Sequence, residues 1–195
     1  MATYREGVLT FGHGRLSRDE LRALVTGAGI EFVVDVRRFP GSRANPAASA
    51  GAVPDLLATA GVGYRWEERL GGRRHLTAAE DAASPDSWWQ VAAFRAYAAY
   101  TRTDAFRAGL QQVLTDDEQQ HTAIMCSESV WWRCHRRLIA DVLTLEFGRV
   151  VEHLMPDGRL VRHKLSEGAR RGRGGFLVWD AGSPPATAGD GHRRS

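Results

Sequence analysis

Two hydrophobic rhythms alternate along the chain. Residues 7–14, Gly-Val-Leu-Thr-Phe-Gly-His-Gly, form a short continuous apolar run closed by glycines, which predicts a strand covered on both faces. Ser17-Arg18-Asp19-Glu20 then has the form of a capping box, and Leu21, Leu24, Val25 and Ala28 recur at helical spacing until Gly29. Residues 30–40 repeat the strand pattern, and Pro40, Gly41 and Pro46 mark the loop behind it. A short helix is predicted over 54–60, and a third strand over 63–72 runs into a glycine-rich loop. The polar, punctuated segment 73–87 predicts no element. Two helices follow over 87–100 and 104–114, then a strand over 121–128. An amphipathic helix over 133–147 carries Leu138, Ile139, Val142 and Leu143 on one face and is closed by Gly148. Residues 150–154 and 159–163 flank Pro156-Asp157-Gly158, a hairpin turn.

This order predicts the α/β class: a mostly parallel sheet flanked by helices on both faces, in a single compact domain over 1–168 with a C-terminal hairpin or edge strand. Residues 169–195 are basic and rich in Gly, Pro and Arg, and read as a largely disordered tail. Within it, only Phe176-Leu177-Val178-Trp179 is apolar enough to dock.

Composition narrows the classes. A hydrophobic content of 43% in 195 residues is that of a globular domain. No apolar run approaches the roughly 18 residues needed to span a bilayer, and the first residues lack a signal peptide's basic start and apolar stretch. A cytoplasmic protein without membrane association is expected. In that reducing setting the two cysteines, Cys126 and Cys134, read as buried, catalytic or metal-binding and not as a disulfide. The net charge of +3 is unevenly spread, its positive excess lying after Gly158. A stretch such as Gly-Ala-Arg-Arg-Gly-Arg-Gly-Gly can attract phosphate backbones without reading sequence, and a solvated tail has the same composition.

In a parallel sheet, ligands sit beyond the carboxyl ends of the strands. His13 follows the first predicted strand. Asp35 and Arg37 close the second, with Arg43 beyond it. Gly71, Gly72, Arg73 and Arg74 follow the third, and Cys126 with Glu128 close the next. Unpaired ionised groups are expensive to bury, so this convergence points to a pocket. The helix predicted from 133 places Cys134, His135 and Arg136 in its first turn, where free amides and the helix dipole favour an anion and lower a thiol pKa.

A strand, cysteine loop, arginine and helix in this order are also found in thiol-based phosphatases and sulfurtransferases. Here, though, six residues separate Cys126 from Arg133 instead of the phosphatase five, and Trp131 and Trp132 are bulky. Plainer readings stand beside the catalytic one. Cys126 could be a small core residue, and Asp35 with Arg37 only an ion pair that orders a loop. Cys134 and His135 could form half of a metal site with Cys126 and His13, although no CxxC or HxxxH spacing supports it. Trp131 and Trp132 could be core, a lid or a stacking platform for bases.

Four segments in order resemble the blocks of the DUF488 family: residues 9–43, 64–74, 124–143 and 150–163. The recognisable combination is Gly-His near the start, Asp-Val-Arg with a following Pro and Ser-Arg, a Leu-Gly-Gly loop, and Met-Cys-x-Glu leading to Cys-His-Arg. The resemblance implies a compact α/β domain with His13, Asp35, Arg37, Arg43, Gly71, Gly72, Cys126, Glu128, Cys134, His135 and Arg136 at signature positions. It implies no activity. The paired tryptophans depart from the more polar loop usual before Cys-His-Arg.

From the residues, the expected function is a thiol-dependent hydrolase or group transferase that binds a phosphorylated or nucleotide-like anion, without a cofactor. Arg37, Arg43 and Arg136 would hold the anion, and Cys126 or Cys134 would be the nucleophile. Glu128 with His13 or His135 would move protons, and Asp35 would orient Arg37 or His13. The alternatives are a non-catalytic nucleic-acid-binding or repair-associated module, and a Cys/His metal-binding protein.

Overall fold

A computed structural model describes residues 7–180 apart from Arg43. Its centre is a six-stranded sheet built from β1 (Val8–Gly12), β2 (Phe32–Asp35), β3 (Gly63–Trp66), β4 (Thr122–Cys126), β5 (Val151–Leu154) and β6 (Leu160–Arg162), in the order β3-β2-β4-β1-β5-β6. All neighbours are parallel except β5 and β6, which pair as an antiparallel hairpin at the edge. Both β1 and β4 are buried along their whole length, the reason their sequences are continuously apolar instead of alternating.

Successive side chains point to opposite faces, and the two faces have separate cores. On one, Leu9, Phe11, Val33, Ala123 and Met125 pack against α1 (Arg18–Gly27) and α2 (Ala52–Thr59). On the other, Val8, Val34 and Ile124 meet α4 (Ala92–Tyr100), α5 (Asp104–Gln119) and α6 (Arg136–Phe147). The Ser17 capping box is complete, its hydroxyl accepting from the Glu20 amide while the Glu20 carboxylate accepts from the Ser17 amide.

Several boundaries differ from expectation for identifiable reasons. The second strand stops at Asp35 because the Asp35 carboxylate accepts from the Arg37 amide and turns the chain. A short helix, α3 (Ala78–Ala82), occupies the segment expected to be irregular. It is started by a Thr77–Glu80 capping box, but it buries none of its residues, so no apolar periodicity marks it. Residues 87–91 precede α4 instead of opening it, because the Trp88 amide donates to the Trp179 carbonyl. The last main helix begins at Arg136, not at 133: residues 131–133 form a separate turn of 3-10 helix and Cys134 is extended.

The stretch 169–180, read as part of the tail, belongs to the fold. There β7 (Ala169–Arg171) and β8 (Leu177–Trp179) pair antiparallel. Trp179 is fully buried and donates its indole N–H to Asp141 on α6 at 2.8 Å. Residues 181–195 lie outside the described residues. Among the described residues no helix is long and apolar enough to cross a membrane.

Truncating a buried Trp to Ala costs about 3–5 kcal/mol. Trp179→Ala should therefore lower the unfolding free energy by about that amount in urea titration. An unchanged midpoint would show that β8 contributes nothing to the core.

Candidate functional site

Register brings the polar motifs together. Gly12 is paired with Cys126, and Asp35 with Met125, so three neighbouring strands end level at one sheet edge. The ladder continues past them: the His13 amide donates to the Cys126 carbonyl and the Gly14 amide to the Ser127 carbonyl. Gly12 allows the loops to meet, since a Cβ there would stand 1.8 Å from the Glu128 carbonyl oxygen and 2.9 Å from an Arg136 nitrogen.

Beyond that edge opens a cavity of about 800 Å³. Cys126, Cys134 and His135 line its floor and Ser127 and Glu128 one wall, while Gly72, Arg73, Arg133, Arg38 and Phe39 contribute to the rest. Gly72 is small for a reason: a Cβ would lie 2.9 Å from His135 Nδ1. That same Nδ1 is 3.7 Å from Cys134 Sγ and 3.9 Å from Cys126 Sγ, while the ring packs on Tyr97 with centroids 4.9 Å apart. His135 Nε2 is buried without a hydrogen-bond partner among the described residues.

Both cysteines are free and buried, and each shifts the pKa of the other. The Cys126 thiol donates to Cys134, which together with burial pushes the Cys126 pKa well up. Burial also opposes ionisation of Cys134, but the bond from Cys126 and the charges of Arg136 and His135 outweigh it and hold Cys134 well below the usual thiol range. Arg136, 1% exposed, places Nε 3.4 Å from Cys134 Sγ and donates a second N–H to the Glu128 carbonyl. It forms no ion pair with a carboxylate among the described residues. Its contacts are thus the Cys134 sulfur and a carbonyl, and it is not among the residues that line the cavity.

Arg37 is likewise committed. Its Nε and Nη2 donate to the Asp35 carboxylate, Nη2 at 2.6 Å, and Nη1 donates to the Ala48 carbonyl. Tyr64 adds a hydroxyl donor to Asp35 at 2.9 Å. Asp35 thus orients Arg37, and Arg37 in turn faces His13, whose Nε2 lies 3.4 Å from Nη1. His13 Nδ1 is 3.1 Å from the Gly14 carbonyl and must donate there, which leaves Nε2 as acceptor for Arg37. Burial and the Arg37 charge lower the His13 pKa, and the ring is not among the residues that line the cavity. Gly71 is buried where a Cβ would stand 2.9 Å from Arg38 Cα. Arg43 lies outside the described residues.

Three cations remain unspent. Arg38, Arg73 and Arg133 line the cavity and make no ion pair with any described residue. Sequence reasoning noted Arg73 beside the glycines but assigned none of the three. The signal lay in Gly71-Gly72-Arg73 and Arg37-Arg38-Phe39, where one arginine of a pair turns inward and its neighbour stays free.

A second polar cluster went unseen. Thr10 Oγ1 is 2.7 Å from His153 Nδ1, His153 Nε2 is 2.9 Å from His163 Nδ1, and His163 Nε2 is 2.9 Å from Asp141. Trp131, in the loop between the cysteines, lies flat on His153 with centroids 4.1 Å apart. The loop tryptophan is thus a clamp, and Trp132 stays outside at 46% exposure. Burial, His163 and Arg136 together depress the His153 pKa to about 2.

Sγ of both cysteines and a ring nitrogen of His135 lie within 4.8 Å of one another, a set that could hold a metal; His13, turned to Arg37, is not among the three.

A family profile described as "Domain of unknown function DUF488" matches residues 17–143. The chain belongs to the DUF488 family. No curated protein and no solved structure matches it. The DUF488 match takes in both cysteines, Asp35–Arg37 and the unspent arginines, and leaves His13 and the His153–His163 pair outside its span.

Removing one partner of a buried ion pair costs about 3–5 kcal/mol when the other stays charged, but Cys134 can become neutral by taking up a proton. Arg136→Met should therefore raise the Cys134 pKa, so the pH profile of iodoacetamide alkylation moves to higher pH by a unit or so. An unmoved profile would show that Arg136 is not the counterion.

The histidine cluster has its own pH signature. The unfolded chain protonates His153 near its ordinary 6.5 and the folded chain only near 2, so unfolding takes up a proton between these values and stability falls as pH drops below 6.5. The loss is at most about 1.4 kcal/mol per pH unit. His153→Phe should show a shallower decline from pH 6.5 to 4.5 in urea titrations; an identical slope would refute the assignment.

Proposed function

We propose that this protein is a thiol-dependent hydrolase or group transferase acting on a phosphorylated or otherwise anionic substrate. The observation that carries the reading is a buried cysteine in contact with a buried guanidinium, at a cavity lined by three arginines that have no ion-pair partner among the described residues. Guanidinium forks suit phosphate oxygens, so Arg38, Arg73 and Arg133 would draw the anion down toward Cys134. A reducing, cytoplasmic compartment would keep both thiols free.

In the first step the Cys134 sulfur attacks the electrophilic phosphorus or carbon. The new S–P or S–C bond forms as the bond to the leaving oxygen breaks, and that oxygen takes a proton, for which Cys126 holds the nearest thiol. In the second step water or an acceptor hydroxyl attacks the same centre. The bond to sulfur breaks, Cys134 returns to thiolate, and the released proton restores Cys126. Glu128, exposed on the cavity wall, is placed to accept the proton from the attacking water. Arg37, His13 and Asp35 position the loops.

The metal reading uses the same sulfurs, and the local charge disfavours it. A divalent ion would be set beside a buried guanidinium and below three more cations, whereas one thiolate already neutralises Arg136.

At pH 7 one equivalent of iodoacetamide should modify Cys134 faster than free cysteine, and inorganic phosphate should slow the reaction several-fold. Cys134→Ala should remove the fast phase. A rate equal to that of free cysteine without phosphate protection, or a stoichiometric metal in the purified protein by elemental analysis, would overturn the proposal. So would retention of tight nucleic-acid binding by Cys134→Ala with no reactive thiol in the parent, the behaviour of a binding module.

A further inference from the structure

Phosphate alone leaves much of this cavity unexplained. At about 800 Å³ it has the size of sites for whole organic ligands. Its lining also includes Phe39, which is 64% exposed, more than any other large hydrophobic residue described. Phe39 lies two residues after the buried Arg37, where the loop leaves the sheet edge, so its outward position is built from a fixed base. Two of the three unspent arginines attend its ring: the Arg38 guanidinium is 6.0 Å from the centroid and that of Arg73 is 5.9 Å. Arg73 is also the sole non-glycine residue described with positive φ, at 57°, a conformation that costs free energy and is kept mainly where it serves a site. Both distances lie at the outer limit of a cation–π contact, about 6 Å.

The occupant that covers these features is anionic at its thiol end and flat and aromatic at its outer end. Resting on the anion-site reading above, we propose that the cavity takes a nucleoside phosphate, with the phosphate toward Cys134 and the unpaired arginines and the base stacked on Phe39. A simple sugar phosphate would satisfy the arginines and leave Phe39 in water. Base stacking on an aromatic side chain is tolerant of base identity, so the site selects for having a base rather than for which base. The same chemistry is presented by a free nucleotide and by the phosphorylated end of a single strand.

The test compares AMP, ribose 5-phosphate and a 5′-phosphorylated tetranucleotide as ligands, by calorimetry and by protection of Cys134 from iodoacetamide. AMP or the tetranucleotide should bind about tenfold tighter than ribose 5-phosphate, within the range that stacking supplies. The ranking of the two identifies the free nucleotide or the strand end as the source. Phe39→Ala, a surface change that leaves the core intact, should bring the tighter ligand to the level of ribose 5-phosphate without altering ribose 5-phosphate itself. Phe39→Trp should keep the preference. Equal binding of all three ligands, or equal weakening of all three by Phe39→Ala, overturns the nucleoside proposal while the anion site stands. Failure of every ligand, inorganic phosphate included, to bind or protect defeats the anion-site reading instead.

Discussion

A guanidinium buried without a carboxylate sets the terms for the rest of this molecule. Stripping an arginine of water is costly unless an anion and hydrogen-bond acceptors replace it. Among the described residues Arg136 finds only the Cys134 sulfur and the Glu128 carbonyl, so burial of the one favours ionisation of the other. The requirement reaches into the backbone. The cysteine loop must bring the Glu128 carbonyl against the end of β1, which only a glycine at position 12 permits. It must also stay there, and the Trp131 ring lying on His153 fastens its far end. His153 can accept that role because it is neutral, a second positive charge near Arg136 being disfavoured.

The arginines around the site divide into two populations with different work. Arg37 and Arg136 are almost completely buried and their donors are taken, by Asp35 and by Cys134. Of the two, only Arg37 lines the cavity. Arg38, Arg73 and Arg133 reach the cavity without an ion-pair partner among the described residues, and in the proposed function attraction of an anion falls to them. Had Asp35 been absent, Arg37 would join the second group and the loop after β2 would lose its anchor. The Asp35–Arg37 pair is thus both the loop-ordering ion pair of the plainest sequence reading and a part of the site.

What could be read in the sequence follows from what is local. Buried parallel strands are continuous apolar runs and capping boxes are four-residue patterns, so the α/β class, the first helix and the closing hairpin were legible. So was the gathering of His13, Asp35, Cys126 and Glu128 at one edge, because parallel strands put their carboxyl ends together whatever their order. The strand order itself was not legible, nor was which arginine is spent. Arg37 and Arg38 are neighbours with the same side chain, and only the turn at Asp35 decides that one points in and the other out. The Thr10–His153–His163–Asp141 chain joins four elements distant in sequence, and no spacing rule announces it. Trp179 was legible as apolar, but its place against Asp141 depends on how α6 lies on the sheet.

The same distinction bears on how chemistry arises here. A thiolate at a helix start is commonly credited to the helix dipole, and the expected helix from 133 would have put Cys134 in that field. The chain instead holds Cys134 extended, one residue before the cap at His135, and meets it with a side-chain cation and a neighbouring thiol donor. A full charge in contact and a directed hydrogen bond are stronger than the half-charge of a helix end. Because both partners are protein groups, the thiolate is stabilised before any ligand arrives.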